Sequence, residues 1–101
     1  MKKLGIMLST EPSNKNLEIV IGLTKAAINN NTGVYLYMID EGVECIKDER
    51  LLALSKEGLK LFVCAYGAQK NGISPSDIAS FGGLAVLSEL INACNRFVAF
   101  G

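Results

Sequence analysis

The chain has 101 residues, ten basic and ten acidic side chains, three cysteines, and neither histidine nor tryptophan. Without histidine, one chain cannot form a Ser-His or Cys-His catalytic pair or a His-ligated metal site, so its chemistry must run on cysteine, carboxylate, lysine, tyrosine or backbone groups. Zero net charge leaves no polyanion footprint and argues against direct nucleic-acid or membrane-surface binding.

In chain order, Leu4–Leu8 is a short continuous apolar run, as expected of a strand buried on both faces. Polar residues Ser9 to Asn14 follow, with Pro12 as breaker and Ser13 or Asn14 as helix N-cap candidates. Leu17, Val20, Ile21, Thr24, Ala27 and Ile28 then recur at helical spacing, and Asn29 to Gly33 stop that helix. Val34–Ile39 is β-branched and aromatic, a second strand, ended by Asp40-Glu41-Gly42. Lys47 or Asp48 opens a second helix, with Leu51, Leu52 and Leu54 inward and Gly58 as its stop. Leu59–Cys64 reads as a third buried strand, Ala65–Asn71 as a short helix closed by Gly72, and Ser74 to Asp77 as a turn or helix start. Gly83–Cys94 forms a helix and Arg96–Phe100 a last strand.

Alternation of strands and helices predicts an α/β domain spanning residues 1–101. Its mostly parallel sheet of four to five strands lies between helical layers, a three-layer sandwich, with strand order 2-1-3-4. A chain of this length buries roughly two-thirds of its unfolded surface, enough for a core without staples. Apolar residues make up 50% of the chain, at the upper edge for a soluble domain, and this points to an oligomer. The last helix sharpens that expectation. Leu84, Leu87 and Ile91 form one apolar stripe, and Val86, Leu90 and Ala93 another. Two stripes fit a helix wedged between sheet and neighbouring helix, or a subunit interface.

Leu4–Leu8 is too short for a signal-peptide core, and the longest apolar run, Leu61–Ala68, is too short for a membrane span, so a cytoplasmic protein is expected. Cysteines 45, 64 and 94 are odd in number and widely spaced, which suggests neither a disulfide scaffold nor a zinc knuckle.

Cys64 is the site candidate. It stands where the third strand should end and a helix begin, at the sheet edge where open parallel sheets bind ligands. Order 2-1-3-4 would bring Ser9, Thr10 and Glu11 beside it, with Asp40, Glu41 and Cys45 further out. Helix N-terminal N–H groups from Ala65, Tyr66 and Gly67 favour a thiolate, Gly67 leaves room for an incoming sulfur, and Lys70 adds positive charge if the helix turns it back. The competing reading is that Cys64 only packs, as cysteines after Leu-Phe-Val runs commonly do. Cys94 reads as core. Cys45 reads as an ordinary loop residue, or alternatively as an exposed second thiol. Asp40-Glu41-Gly42 is most simply a turn, with a general acid as the minority reading. Gly82-Gly83 before a helix suits an anion, but no Lys-Ser/Thr follows, so the P-loop pattern is absent.

The segment Gly58-Leu59-Lys60-Leu61-Phe62-Val63-Cys64-Ala65-Tyr66-Gly67 through Gly72-Ile73 resembles the cysteine segment of the DsrE/DsrF-like (TusD-like) sulfur-relay family. That segment is a strand ending in Cys, a short helix, then Gly-Val or Gly-Ile. Gly82-Gly83-Leu84 through Ala93-Cys94-Asn95-Arg96-Phe97-Val98-Ala99-Phe100 resembles the family's ending, with Asn95 where the family has Asp. Val34–Ile39 followed by Asp40-Glu41-Gly42-Val43 fits as well, so the likeness runs over essentially the whole chain.

The resemblance implies a flavodoxin-like, DsrE-like fold. It also implies a small cytoplasmic protein, in homo-oligomers (trimer or hexamer) or hetero-oligomers with paralogues. The family's sulfur-carrying cysteine falls on Cys64. A persulfide there would be received from a donor protein and passed to an acceptor protein, a possible sulfurtransferase activity that requires no metal or organic cofactor. Two rival readings stand beside it: a non-catalytic assembly or regulatory subunit, and a redox or small-molecule sensor using Cys64 with Cys45.

Overall fold

The computed structural model describes residues 1–101. Five strands, β1 (Lys3–Leu8), β2 (Gly33–Met38), β3 (Lys60–Cys64), β4 (Ser80–Gly82) and β5 (Arg96–Phe100), alternate with four α-helices. These are α1 (Asn16–Asn29), α2 (Glu49–Ser55), α3 (Ala65–Lys70) and α4 (Leu84–Ala93), and a 3-10 helix, Asp40–Lys47, precedes α2. All strands pair in parallel, in the order β4-β3-β2-β1-β5.

The α/β class and the parallel sheet are as expected from the sequence, but the order 2-1-3-4 is not. β2 lies between β1 and β3, so the first three strands step in one direction across the sheet. Right-handed crossovers then put α1, the 3-10 helix with α2, and α3 on one face. Only α4, which carries the chain back from β4 to β5, covers the other. β4, a three-residue edge strand paired with β3 through Phe62–Ser80, Val63–Phe81 and Cys64–Gly82, was absent from the sequence reading.

Alternation along the strands sorts the side chains. Ile6, Leu8, Val34, Leu36, Met38, Leu61 and Val63 face the helix-rich side, and all are buried. Leu17, Val20, Ile21 and Thr24 of α1 and Leu51 and Leu54 of α2 complete that core, whereas Leu52, expected inward, is only half-buried. The α4 side carries Gly5, Met7, Tyr35, Tyr37, Phe62 and Phe97. Of these, Met7, Tyr35, Phe62 and Phe97 stay half-exposed, because one ten-residue helix cannot cover a five-stranded sheet. Within α4 only Leu90 is buried. Val86 and Leu87 are half-buried, and Leu84 and Ile91 are exposed.

Local signals place the element ends. Asn31, at φ +58°, and Gly58 and Gly72, at φ +117° and +70°, take left-handed conformations just beyond α1, α2 and α3. Asp48 caps α2, its carboxylate accepting the Arg50 N–H at 2.8 Å. At α1 the N-cap residue is Lys15, with no capping side chain. Asn14 instead accepts the Asn16 N–H at 2.9 Å, and Ser13 plays no capping part. Asp40-Glu41-Gly42 is not a simple turn but the first turn of the 3-10 helix. Gly42 is required there, since a Cβ would run into the Leu8 carbonyl.

Candidate functional site

The carboxyl ends of β1, β2 and β3 meet α3 and the 3-10 helix at one edge of the sheet. β3 delivers Cys64 directly into α3 as its N-cap residue, and the Gly67 N–H donates to Sγ at 3.5 Å. That donor is one of the N–H groups a helix start leaves without an intrahelical partner. Cys64 is 6% exposed, so its sulfur lies just under the surface.

α3 is docked tightly on the 3-10 helix. A Cβ at Gly67 would lie 3.1 Å from Val43 and 3.4 Å from the Asp40 nitrogen, so a larger residue would push α3 away. The Asn71 side chain donates to the Gly67 carbonyl at 2.8 Å and reaches the Asp40 carbonyl at 3.5 Å, tying the two elements. Asp40 adopts φ +53°, a left-handed conformation unusual for a residue with a side chain, at the point where β2 gives way to the 3-10 helix.

Two cavities flank α3. One, of about 360 Å³, is lined by Ser9, Asp40, Glu41, Tyr66, Gly67, Lys70 and Asn71. The other, of about 480 Å³, lies towards β4 and is lined mainly by Ala65, Ala68, Gln69, Ile73, Pro75 and Phe81. Cys64 lines neither. Of the residues singled out from sequence, Ser9, Tyr66, Gly67 and Lys70 therefore gather on one wall, and Ala65 lies on the opposite flank of α3.

Ser9 arrives by a different route from the one expected. With β2 between β1 and β3, Ser9 does not border Cys64. Its N–H and hydroxyl instead donate to the Phe100 carbonyl of β5, at 3.0 and 3.3 Å, and it faces the cavity from beyond β2. Thr10 is not part of the cavity lining. Its hydroxyl accepts from Asn16 at 3.2 Å and its carbonyl from the Cys45 thiol at 3.6 Å, so it organises the start of α1. Glu11 is exposed and likewise outside the lining. Asp40 and Glu41, expected further out, are instead cavity residues. Lys70 sits on the rim with its ammonium 6.0 Å from the centre of the exposed Tyr66 ring.

The other cysteines differ from their sequence readings. Cys45 is neither a loop residue nor an exposed thiol. It is fully buried in the 3-10 helix, and burial, with Asp48, Glu44 and Glu11 nearby, pushes its thiol up to about 11. Cys94 is half-buried rather than core, close to Gly5, and burial raises its thiol while Lys3 acts weakly against that shift.

One residue went unremarked in the sequence. Tyr37 of β2 is fully buried on the α4 side, the face shared with Cys64, and its hydroxyl lies 3.1 and 3.2 Å from the Gly82 and Gly83 carbonyls. Gly82 is the β4 partner of Cys64, so the tyrosine reaches across β3 beneath the cysteine. Burial foremost, and the neighbouring Cys64 side chain next, hold the phenol well above its ordinary range. The Gly82 and Gly83 carbonyls, not their N–H groups, are what this tyrosine engages. No group of three or more cysteine or carboxylate side chains that could hold a metal ion forms, and no helix is long and apolar enough to cross a membrane.

The fold has solved relatives. The ychN protein from E. coli superposes with a TM-score of 0.82 at 18% identity, over 99% of this chain and 100% of that one. A conserved protein of unknown function from Bacteroides thetaiotaomicron, BT1422, gives a TM-score of 0.71 at 12% identity, over 98% and 95% of the two chains. No curated protein matches. A sequence model of the DsrE/DsrF-like family matches residues 2–100, which takes in the strand ending at Cys64, the short helix after it and the closing Arg96–Phe100 strand, and the chain belongs to that family.

Proposed function

We propose that this protein is a small cytoplasmic sulfur carrier, a single domain over residues 1–101, that accepts and passes on persulfide sulfur at Cys64. The observation that carries the reading is Cys64 at the junction of β3 and α3, its sulfur receiving the Gly67 N–H in a chain of the DsrE/DsrF-like family. The step is a transpersulfidation. The Cys64 thiolate attacks the outer sulfur of a donor persulfide, the donor's S–S bond breaks, and its inner sulfur leaves as a thiolate. Cys64 then holds S–SH, and the reverse exchange hands the sulfur to an acceptor thiol. No proton shuttle is needed, which suits a chain without histidine.

Ser9, Tyr66, Gly67 and Lys70 line the approach on one side of α3 and Ala65 on the other. Because Cys64 is nearly buried, transfer requires its sulfur to become accessible when the donor or acceptor protein docks. The thin cover of the α4 face, with Leu84 and Ile91 exposed, supports assembly into a homo-oligomer or with paralogues. That same surface, with the low exposure of Cys64, favours a second reading: a non-catalytic assembly or regulatory subunit.

Incubation with a cysteine desulfurase and cysteine, followed by peptide mapping, separates the two. The carrier gains one sulfur, about 32 Da, on the Cys64 peptide, and Cys64→Ser abolishes the gain. A folded protein that takes no sulfur at Cys64 is not a carrier.

A further inference from the structure

Tyr37 is a buried ionisable group that the transfer chemistry leaves unused. Its position has three peculiarities. It lies on the sheet face that Cys64 shares, and its side chain crosses β3 to reach the turn between β4 and α4. It is fully buried, so no water competes for its hydroxyl. Its one hydrogen is split between two carbonyls at 3.1 and 3.2 Å, and one of these, Gly83, is exposed and already accepts the Val86 N–H at 3.1 Å. Gly82 is itself half-buried, so the hydroxyl can turn away from both carbonyls without stranding a fully buried residue's acceptor.

We propose that Tyr37 is a positioning residue for Cys64, turning its hydroxyl from the Gly82–Gly83 carbonyls to the sulfur when Cys64 becomes a thiolate or a persulfide. A sulfur anion is a stronger acceptor than a carbonyl that already holds another donor, so the hydrogen follows the charge. The raised phenol keeps that hydrogen throughout the physiological range, and Tyr37 acts as a donor only. Two donors then converge on the sulfur from different elements, the Gly67 N–H from α3 and the phenol from β2. The charged groups of the elements packed here are Asp40 and Glu41 from the 3-10 helix and Lys70 from α3, which line the cavity, and the exposed Glu89 of α4, while β4 contributes none. Tyr37 is thus the buried, neutral donor of the pair.

The inference rests on the sulfur-carrier reading for its purpose but not for its test. Tyr37→Phe keeps the ring and removes only the hydroxyl. The rate of Cys64 alkylation by iodoacetamide, mapped by peptide mass against pH, should move towards alkaline pH, with about a tenfold lower rate at neutral pH, the size of one lost charge-assisted hydrogen bond. Superimposable profiles for a folded Tyr37→Phe protein would overturn the proposal. Should that variant not fold, carbon-13 labelling of tyrosine in the wild type gives the answer. The Tyr37 Cζ resonance must show a pH step that disappears in Cys64→Ala, and a resonance indifferent to Cys64 overturns the proposal. Failure of the carrier reading looks different: Cys64 takes no sulfur while the coupling between Tyr37 and Cys64 persists.

Discussion

Cys45 is fully buried with its thiol donating to the Thr10 carbonyl, whereas Cys64 meets an N–H donor at the surface end of a strand. The first arrangement keeps a thiol neutral. For Cys45 the consequence reaches stability. Its folded thiol sits near 11 against an ordinary value of 9.0, so the folded state holds its proton longer than the unfolded state does. The stabilisation is complete below about pH 9 and drains away as the pH climbs towards 11. Urea midpoints measured at pH 8 and pH 10 should fall more in the wild type than in Cys45→Ala, which starts lower but loses less. The place of Cys64 at the strand–helix junction was legible in the sequence because the strand, the cysteine and the short helix are contiguous. Cys45 was not, since Glu44 and Lys47 around it read as a solvated loop, while the 3-10 helix turns Val43, Cys45 and Ile46 inward. Tyr37 escaped for another reason. Alternation assigns a strand residue to a face, but how far a phenol reaches across that face depends on which strands are neighbours.

At the scale of elements, short-range signals were the reliable ones. The asparagine run after α1, the glycines after α2 and α3, and the Asp48 cap all act within a few residues of where they stand. Asp48 does two jobs, capping α2 through the Arg50 N–H and holding the Arg50 guanidinium, which holds its carboxyl below the usual range. Arg50 in turn grips both Glu18 oxygens at 2.8 Å, clamping α2 to α1. Asp48→Ala should therefore cost about 1 kcal/mol through the lost cap, read from the urea unfolding midpoint, because exposed ion pairs of this kind add little more. The three-residue β4 carried no such signal. Ser80-Phe81-Gly82 is too short for alternation to show, and it becomes a strand only because β3 offers it an edge.

For the whole molecule, strand order is the property that local pattern does not encode. Leu4–Leu8 and Leu59–Cys64 read as buried strands whatever their neighbours, and the order emerged only from pairing. The uneven dressing of the two faces follows from that order, and it bears on assembly. Leu84 is 66% and Ile91 47% exposed on the lone helix of the thin face. Light scattering should therefore report a multiple of 10.8 kDa at micromolar concentration, and Leu84→Asp with Ile91→Asp should return the protein to a folded monomer. A wild-type monomer would remove assembly from the proposal.

The pairing of β5 with β1 carries one more consequence, in time rather than in space. Ser9 is held by the Phe100 carbonyl, 91 residues away along the chain. On a ribosome, β1 through α3 are made early and can pack as successive right-handed units, yet β1 keeps a bare edge and the cavity lacks its Ser9 anchor until Arg96–Phe100 emerges and docks. Closing so long a loop is the slow kind of step in folding. The cysteine's local setting can thus form well before its surroundings do, and the Ser9 wall of the cavity has to wait for the completed sheet.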